Sequence, residues 1–106
     1  MINLTPHSIT IRLADGTDRT FPPSGTVARV TTFETSALSV DGIPTVYRRT
    51  GNVEGLTLPL TQPVLVSSMV LAELPGADNV FAPDSGPTAI RDAAGQIVAV
   101  TRLIRA

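Results

Sequence analysis

Apolar and polar residues alternate along much of this chain, with the period of two that is typical of half-buried β-strands. The alternation is clearest in residues 8–13, where isoleucine or leucine occupies every second position. Asp15-Gly16 follows and supplies a turn that tolerates positive φ. These signals predict a first hairpin that returns through residues 18–21.

A second hairpin is predicted after the proline- and glycine-rich turn at residues 22–25. Residues 26–40 are rich in threonine and valine, which favour strands, and Asp41-Gly42 supplies a turn to a further strand over residues 43–49. Glycine and proline interrupt residues 50–62, so we expect an irregular excursion there rather than a regular strand.

Only one segment predicts a helix. Residues 64–66 form a short, apolar and β-branched run that is typical of a buried strand. Ser67 or Ser68 then provides an N-cap for a helix over residues 69–74, which Pro75-Gly76 ends. We therefore expect about two turns of helix directly after the buried strand.

The remaining third of the chain predicts extended structure again. Residues 79–82 have the composition of a strand and residues 83–87 that of a loop. Residues 90–92 are expected to pair with residues 96–104 across the turn at residues 93–95. The sequence thus indicates a meander of short antiparallel strands.

These elements together predict a mainly β fold, specifically a small antiparallel β-barrel or sandwich with one short helix. The length of 106 residues suits a single domain over residues 1–106 with one hydrophobic core. Sheets of this kind leave edges that invite pairing with another copy. We therefore expect a homo-oligomer.

Composition and charge narrow the classes of partner. A net charge of -1 argues against double-stranded nucleic acid, which is bound by clustered cations. The chain has no cysteine, no segment long and apolar enough for a membrane span, and no visible secretion signal. We expect a cytoplasmic protein, in the host cell if it is phage-encoded. All eight basic residues are arginine, which suits either a GC-rich genome or bidentate binding of anions.

Few catalytic arrangements can be built from these residues. One histidine and no cysteine leave no Cys-His pair and no zinc site of the usual ligand set. The nine acidic residues are scattered, mostly at turns, where carboxylates usually bond their own backbone. The two common glycine-rich motifs that bind phosphate groups, Gly-x-x-x-x-Gly-Lys and Gly-x-Gly-x-x-Gly, do not occur. We therefore predict no enzyme activity, no cofactor and no metal.

Several polar groups are nevertheless suited to binding a small anion. The block Asn3-Leu4-Thr5-Pro6-His7 holds hydrogen-bonding groups in a proline-stiffened entry to a strand. Each candidate also has a structural interpretation, such as a solvated arginine, a helix-capping serine or a histidine bonded to the backbone. The residues that we predict to line a ligand site are Asn3, Thr5, His7, Arg29, Arg48, Ser67 and Arg91.

Several short motifs, spread over nearly the whole chain, resemble small proteins of phages, prophages and actinobacteria that begin with a similar Asn-Leu-Thr-Pro-His block. The motifs are Asn3-Leu4-Thr5-Pro6-His7, Pro22-Pro23-Ser24-Gly25 with Ala28-Arg29-Val30, Gly51-x-Val53-x-Gly55-Leu56, Val66-Ser67, Asp78-x-Val80 with Pro83, and Arg91-Asp92-x-x-Gly95-x-Ile97. The resemblance implies a phage setting. Small phage proteins without catalytic groups often act by stoichiometric binding, and one such group sequesters the nucleotide second messengers of bacterial immunity.

Three functions are therefore considered. The leading hypothesis is a non-enzymatic anti-defence sponge that sequesters an anionic nucleotide-derived signal, with arginines on phosphate and His7 on a ribose or base edge. The first alternative is a structural or assembly protein of a phage particle that has no small-molecule ligand. The second alternative is a metal-independent phosphoesterase that uses His7 as its acid or base.

Overall fold

The computed structural model describes residues 1–106 and is mainly β, with one short helix. Strands form where apolar and polar residues alternate, and the turns between them use glycine or aspartate at positive φ. The elements are β1 (Ile2–Asn3), β2 (Ile9–Arg12), β3 (Asp18–Phe21), β4 (Arg29–Val40), β5 (Ile43–Glu54), β6 (Val64–Leu65), α1 (Ser68–Ala72), β7 (Val80–Pro83), β8 (Ile90–Arg91), β9 (Ile97–Ala99) and β10 (Leu103–Arg105).

A four-stranded sheet with the order β1-β6-β7-β10 lies at the centre of the fold. The β1–β6 and β6–β7 pairs are parallel, and only the β7–β10 pair is antiparallel. The prediction of a purely antiparallel sheet was therefore wrong for this sheet. Parallel neighbours need a long crossover, here residues 66–79 with α1, and local turn signals do not reveal such pairing.

The hydrophobic core lies between this sheet, α1 and the segment that precedes β4. Val64, Val66, Val70 and Val80 are almost fully buried. Leu4 and Ala28 complete one contiguous cluster with these valines. Only 13 of the 106 residues are buried, so the core is small for a chain of this length.

The helix follows its predicted signals closely. α1 covers Ser68–Ala72, and the Ser67 hydroxyl accepts a hydrogen bond from the Val70 backbone N–H. This contact confirms Ser67 as the N-cap and satisfies one of the donors that a helix start leaves unpaired. Val70 is the buried residue of the helix and fixes it against the core.

The first predicted hairpin is confirmed, with Ile9 paired to Phe21 and Arg12 to Asp18. It is joined to the rest of the fold where Ile11 bridges Val100 and where the Asn3 amide donates to the Phe21 carbonyl oxygen. The last predicted hairpin is confirmed only in part. β8 pairs with β9, but the strand that continues to residue 105 pairs with β7 instead, because a bend at residues 101–102 separates β9 from β10.

The longest hairpin, β4–β5, projects from the fold. Its strands have 12 residues each and are joined by Asp41-Gly42, both at positive φ. We call residues 31–50 of this hairpin the arm and the rest of the chain the body. The expectation that residues 50–62 would be irregular was wrong as far as Glu54, because the ladder continues past Gly51.

Two irregularities in the pairing shape the arm. One lies between Val30 and Thr32, where the hairpin leaves the body, and the other between Ala37 and Val40, near the tip. Such bulges bend and twist a strand locally. At the root, Val30 and Val53 remain paired and pack against the core.

The sheets are small and separate, and no closed barrel is found. The barrel or sandwich arrangement therefore stays a prediction, whereas the mainly β class with one short helix is confirmed. The single helix is neither long nor apolar enough to cross a membrane.

Candidate functional site

The opening block folds into a hydrogen-bonded brace rather than an open binding surface. The Asn3 amide nitrogen donates to the carbonyl oxygens of His7 and Phe21, at 2.7 and 2.9 Å. Its side-chain oxygen accepts from the Thr5 backbone N–H at 2.9 Å and lies 2.7 Å from the Thr5 hydroxyl. Asn3 and Thr5 are both buried, and these bonds offset the cost of burying their polar groups.

His7 contributes its backbone to this brace and leaves its imidazole free. Its carbonyl oxygen accepts from Asn3 and lies 3.0 Å from the Thr5 hydroxyl. The His7 side chain is exposed and forms no hydrogen bond within the chain. The interpretation of this ring as bonded to a backbone carbonyl is therefore wrong.

Two of the predicted arginines are occupied by other partners. Arg48 lies in the arm and binds the Glu34 carboxylate on the facing strand, at 2.7 and 2.9 Å. Arg91 donates to the carbonyl oxygens of Gly95 and Ser85, at 2.8 and 3.3 Å. Both guanidinium groups are exposed, but each holds two segments of its own region together.

Three of the predicted residues meet at one cleft, which we call the Arg29 cleft. Thr5, Arg29 and Ser67 line this cavity of about 220 Å³. Its other lining residues are mainly apolar: Leu4, Pro6, Val27, Ala28, Val30, Met69 and Val70. Three segments of the chain meet at the cleft, since the parallel strands β1 and β6 lead into Thr5 and Ser67 and β4 begins at Arg29.

Arg29 is the free cation of this cleft. It forms neither an ion pair nor a side-chain hydrogen bond, although Glu54 lies opposite it in the β4–β5 register. Ser67 accepts from the helix start, which leaves its O–H available as a donor. The Thr5 hydroxyl is already used in the brace, so polar binding here falls to Arg29 and Ser67.

A larger groove lies at the root of the arm and was not anticipated. Gly51, Asn52, Val53, Leu56, Thr57, Leu58, Glu73 and Leu74 line this cavity of about 520 Å³, which we call the root groove. Its one charged residue, Glu73, disfavours an anionic ligand. Leu56 both packs against the hydrophobic core and lines this groove.

A third cavity of about 180 Å³ lies where β2 approaches β9. Serine and threonine hydroxyls form its polar part and β9 its apolar wall. The lining residues are Ser8, Ile9, Thr10, Pro83, Ser85, Ile97, Val98, Ala99 and Val100. No arginine or carboxylate lines this cavity, so it offers no charged group for a ligand.

The perturbed carboxylates lie outside the Arg29 cleft. The Arg102 guanidinium, 2.7 Å from Asp84, together with the Gly86 backbone N–H, lowers the pKa of Asp84. The hydrogen bond from Arg12 lowers the pKa of Asp18, and the Thr17 hydroxyl and backbone N–H lower that of Asp15. Each shift arises from a turn or cross-strand contact, and no cluster of three metal-ligating side chains is present.

Searches for relatives do not extend this picture. No protein-family model matches the chain, and neither a curated protein nor a solved structure matches it. The arrangement of the side chains is therefore the basis for any functional argument. It offers one cation, one hydroxyl and an apolar floor at the Arg29 cleft.

Proposed function

We propose that the protein is a non-enzymatic binding protein that takes up the anionic part of a small nucleotide-derived ligand in the Arg29 cleft. The carrying observation is that Arg29, which has no ion pair, and the Ser67 hydroxyl line the same cleft. A guanidinium binds phosphate through parallel N–H donors, and a hydroxyl donor beside it adds a further hydrogen bond. The apolar residues that line the cleft can pack against a ribose or a base.

The size of the cleft limits what it can enclose. Its volume of about 220 Å³ is smaller than the roughly 300 Å³ at which pockets for drug-sized ligands begin. One phosphate with its sugar, or one base, would fit inside, and the rest of the ligand would lie at the rim. Pro6 lines the cleft, and His7 is the next residue in the sequence. We assign the exposed His7 side chain to the part of the ligand that lies at the rim.

The resemblance to small phage and prophage proteins supports a sponge that sequesters an immune signal in the host cytoplasm. In such a role the protein binds its ligand stoichiometrically and needs no catalytic group. Arg48 and Arg91 are not required in this proposal, because each already has partners within the chain.

Calorimetry with a panel of cyclic dinucleotides and ADP-ribose derivatives tests the proposal. We expect saturable heat at no more than one ligand per chain, and a loss of affinity of about tenfold or more in Arg29→Ala, since a hydrogen bond to a charged group contributes about 1.5–3 kcal/mol. The matched control is Arg19→Ala, which removes an exposed strand arginine that stacks on Phe21.

Two results would contradict the proposal. One is an absence of heat with every member of the panel at high protein concentration. The other is an equal loss of affinity in the Arg29 and Arg19 variants, which would indicate a general charge effect rather than a site. Product formation from a phosphoester that disappears in His7→Ala would instead favour the phosphoesterase alternative.

The arm favours a second candidate, a structural or assembly protein. Twelve-residue strands that project without a covering partner are a means of joining copies into a particle. This candidate predicts large assemblies that form without any small molecule. Light scattering with and without the ligand panel distinguishes it from the sponge.

A further inference from the structure

The arm has no hydrophobic support within its own chain. None of the residues in β4 or β5 is buried, and the molecule measures 53 Å along its longest axis. The radius of gyration is 16.6 Å, whereas a compact chain of this length would have about 13 Å. An isolated two-stranded hairpin is at best marginally stable in water, so the arm as it stands is under-stabilised.

One face of the arm is markedly apolar. Ile43, Tyr47, Arg49 and Gly51 alternate along β5 and so point to the same side of the ribbon. The Phe33 ring lies on that side too, because a side chain at Gly51 would come within 2.8 Å of it. We call this side the aromatic face. The opposite side carries the Arg48–Glu34 ion pair.

The aromatic face is continuous with the root groove. Gly51 lies on the aromatic face and also lines the groove, together with three leucines of the body. At the other end of the face, Ile43 pairs with Val40, and both side chains are exposed. One surface thus has apolar groups at its tip, aromatic rings midway and an apolar groove at its root.

This order makes the surface complementary to itself. Ile43 and Gly51 are eight residues apart in β5, or about 26 Å at the rise of a strand. Phe33 and Tyr47 lie near the midpoint of that distance. A two-fold axis through the midpoint would bring the rings of two copies together and each tip to the other's root groove, as an interface between identical surfaces requires.

We propose that two copies of this chain dimerise by packing the aromatic faces of their arms antiparallel, with each tip in the root groove of the other copy. This inference does not rest on the proposed ligand. The charges permit a second copy as the occupant, because Glu34 and Asp41 balance Arg48 and Arg49 and leave the arm no net charge that would repel an identical arm. Arg49 would also stack on an aromatic ring of the partner.

The area agrees with a specific but modest dimer. An arm about 33 Å long and about 10 Å wide presents a face of roughly 330 Å². Two such faces and two tips in their grooves bury about 900 Å² in total, which is in the range of weak, transient interfaces. The dimer should therefore dissociate on dilution.

Sedimentation of the full chain over a range of concentrations tests the proposal. We expect reversible association from 11.1 kDa to twice that mass, and at least a tenfold weaker dimer in Tyr47→Glu. The matched control is Val46→Glu, since Val46 is the next residue, is also exposed and lies on the opposite face. That control should leave the dissociation constant within about threefold, because rim or uninvolved surface positions contribute little to binding.

Cysteine cross-linking tests the geometry without depending on the glutamate variants. The chain has no native cysteine, so Ile43→Cys with Leu58→Cys places one thiol at the tip and one at the root groove. These sites lie too far apart to join within one chain, and we expect disulfide-linked dimers. Val46→Cys with Leu58→Cys is the matched control and should not cross-link.

Three outcomes would overturn the proposal. A wild-type chain that stays at 11.1 kDa at millimolar concentration excludes the dimer. Equal weakening by the Tyr47 and Val46 variants, or equal cross-linking of the two cysteine pairs, excludes the aromatic face. Open-ended assemblies larger than a dimer exclude the two-fold arrangement.

Discussion

The body and the arm of this protein are built from the same kinds of residue but are stabilised differently. All 13 buried residues lie in the body, and none lies in the arm. The body is held by apolar burial around Leu65 and by satisfied polar groups such as Asn3. The arm is held by its backbone ladder, a tight turn and cross-strand pairs.

This difference shows that an apolar residue in a strand does not identify a core position. Val64 in β6 is 2% exposed, whereas Val46 in the arm is 53% exposed. The body buries its apolar side chains within one chain, so they determine its stability. The apolar side chains of the arm gain nothing comparable in the monomer, and their energetic effect depends on what covers them.

The largest expected effect comes from two leucine truncations. Leu65 is 0% exposed and Leu38 is 91% exposed. Leu65→Ala should lower the free energy of unfolding by about 2–5 kcal/mol, because it removes buried surface and leaves a cavity. Leu38→Ala should change it by less than about 0.5 kcal/mol. Urea denaturation at a concentration where the protein is monomeric measures both, and similar losses would refute the distinction between body and arm.

A smaller effect is expected where the arm joins the body. Gly55 has φ of +81°, and a side chain there would collide with the Val27 carbonyl oxygen. Gly55→Ala should therefore cost about 2 kcal/mol or more, since left-handed strain and a backbone clash add together. Thermal or urea unfolding gives the value.

The matched control for this prediction is Gly42→Ala in the turn of the arm. Gly42 also has positive φ, but nothing lies within 4 Å of the added atom. Only the conformational cost remains, about 1 kcal/mol, and it acts on the arm rather than the body. A Gly42 variant that destabilises the body as much as the Gly55 variant would contradict this assignment.

The smallest expected effect is on pH dependence. Arg102 and the Gly86 N–H lower the pKa of Asp84 in the folded body. A lowered pKa means that the ionised form is favoured by folding, so this stabilisation is present above the ordinary value of 3.8 and is lost as the pH falls through the folded value. Carboxyl-carbon NMR should give a midpoint below 3.8, which should rise in Arg102→Gln.

Arg48→Gln in the arm is the control for that titration. It removes the cross-strand arginine–carboxylate contact of the arm, the one to Glu34. Because Glu34 lies in the arm and Asp84 in the body, the Asp84 midpoint should stay where it is. A shift of Asp84 in this variant would show that the lowered pKa reflects general charge and not the contact with Arg102.

The sequence predicted best what depends on neighbouring residues. The Asp41-Gly42 turn, the Ser67 cap and the buried Val64–Val66 segment were all anticipated, because each signal is local. The parallel β1–β6 and β6–β7 pairs were missed, since they join residues far apart in the chain. Gly51 was taken as a break, whereas the Phe33 ring covers it and the ladder continues.

The candidate site was anticipated to a similar degree. Residue type alone singled out Thr5, Arg29 and Ser67, and the fold brings these three to one cleft. The partners of Arg48 and Arg91 depend on strand register and loop closure, which composition does not reveal. The burial of the Asn3 amide could not be predicted either. An asparagine side chain can form hydrogen bonds inside the protein or contact a ligand at the surface, and the sequence does not distinguish the two.

The length of the β4–β5 hairpin also means that a small rotation at its root produces a larger displacement at its tip. The hairpin runs from Arg29, in the wall of the cleft, to the Asp41-Gly42 turn at the far end. A paired ladder transmits rotation along its length, so a tilt of about 5° at the root would move a tip about 40 Å away by about 3 Å. A small adjustment around a phosphate bound as we propose would therefore be magnified at the distal turn, where a spectroscopic label would report it.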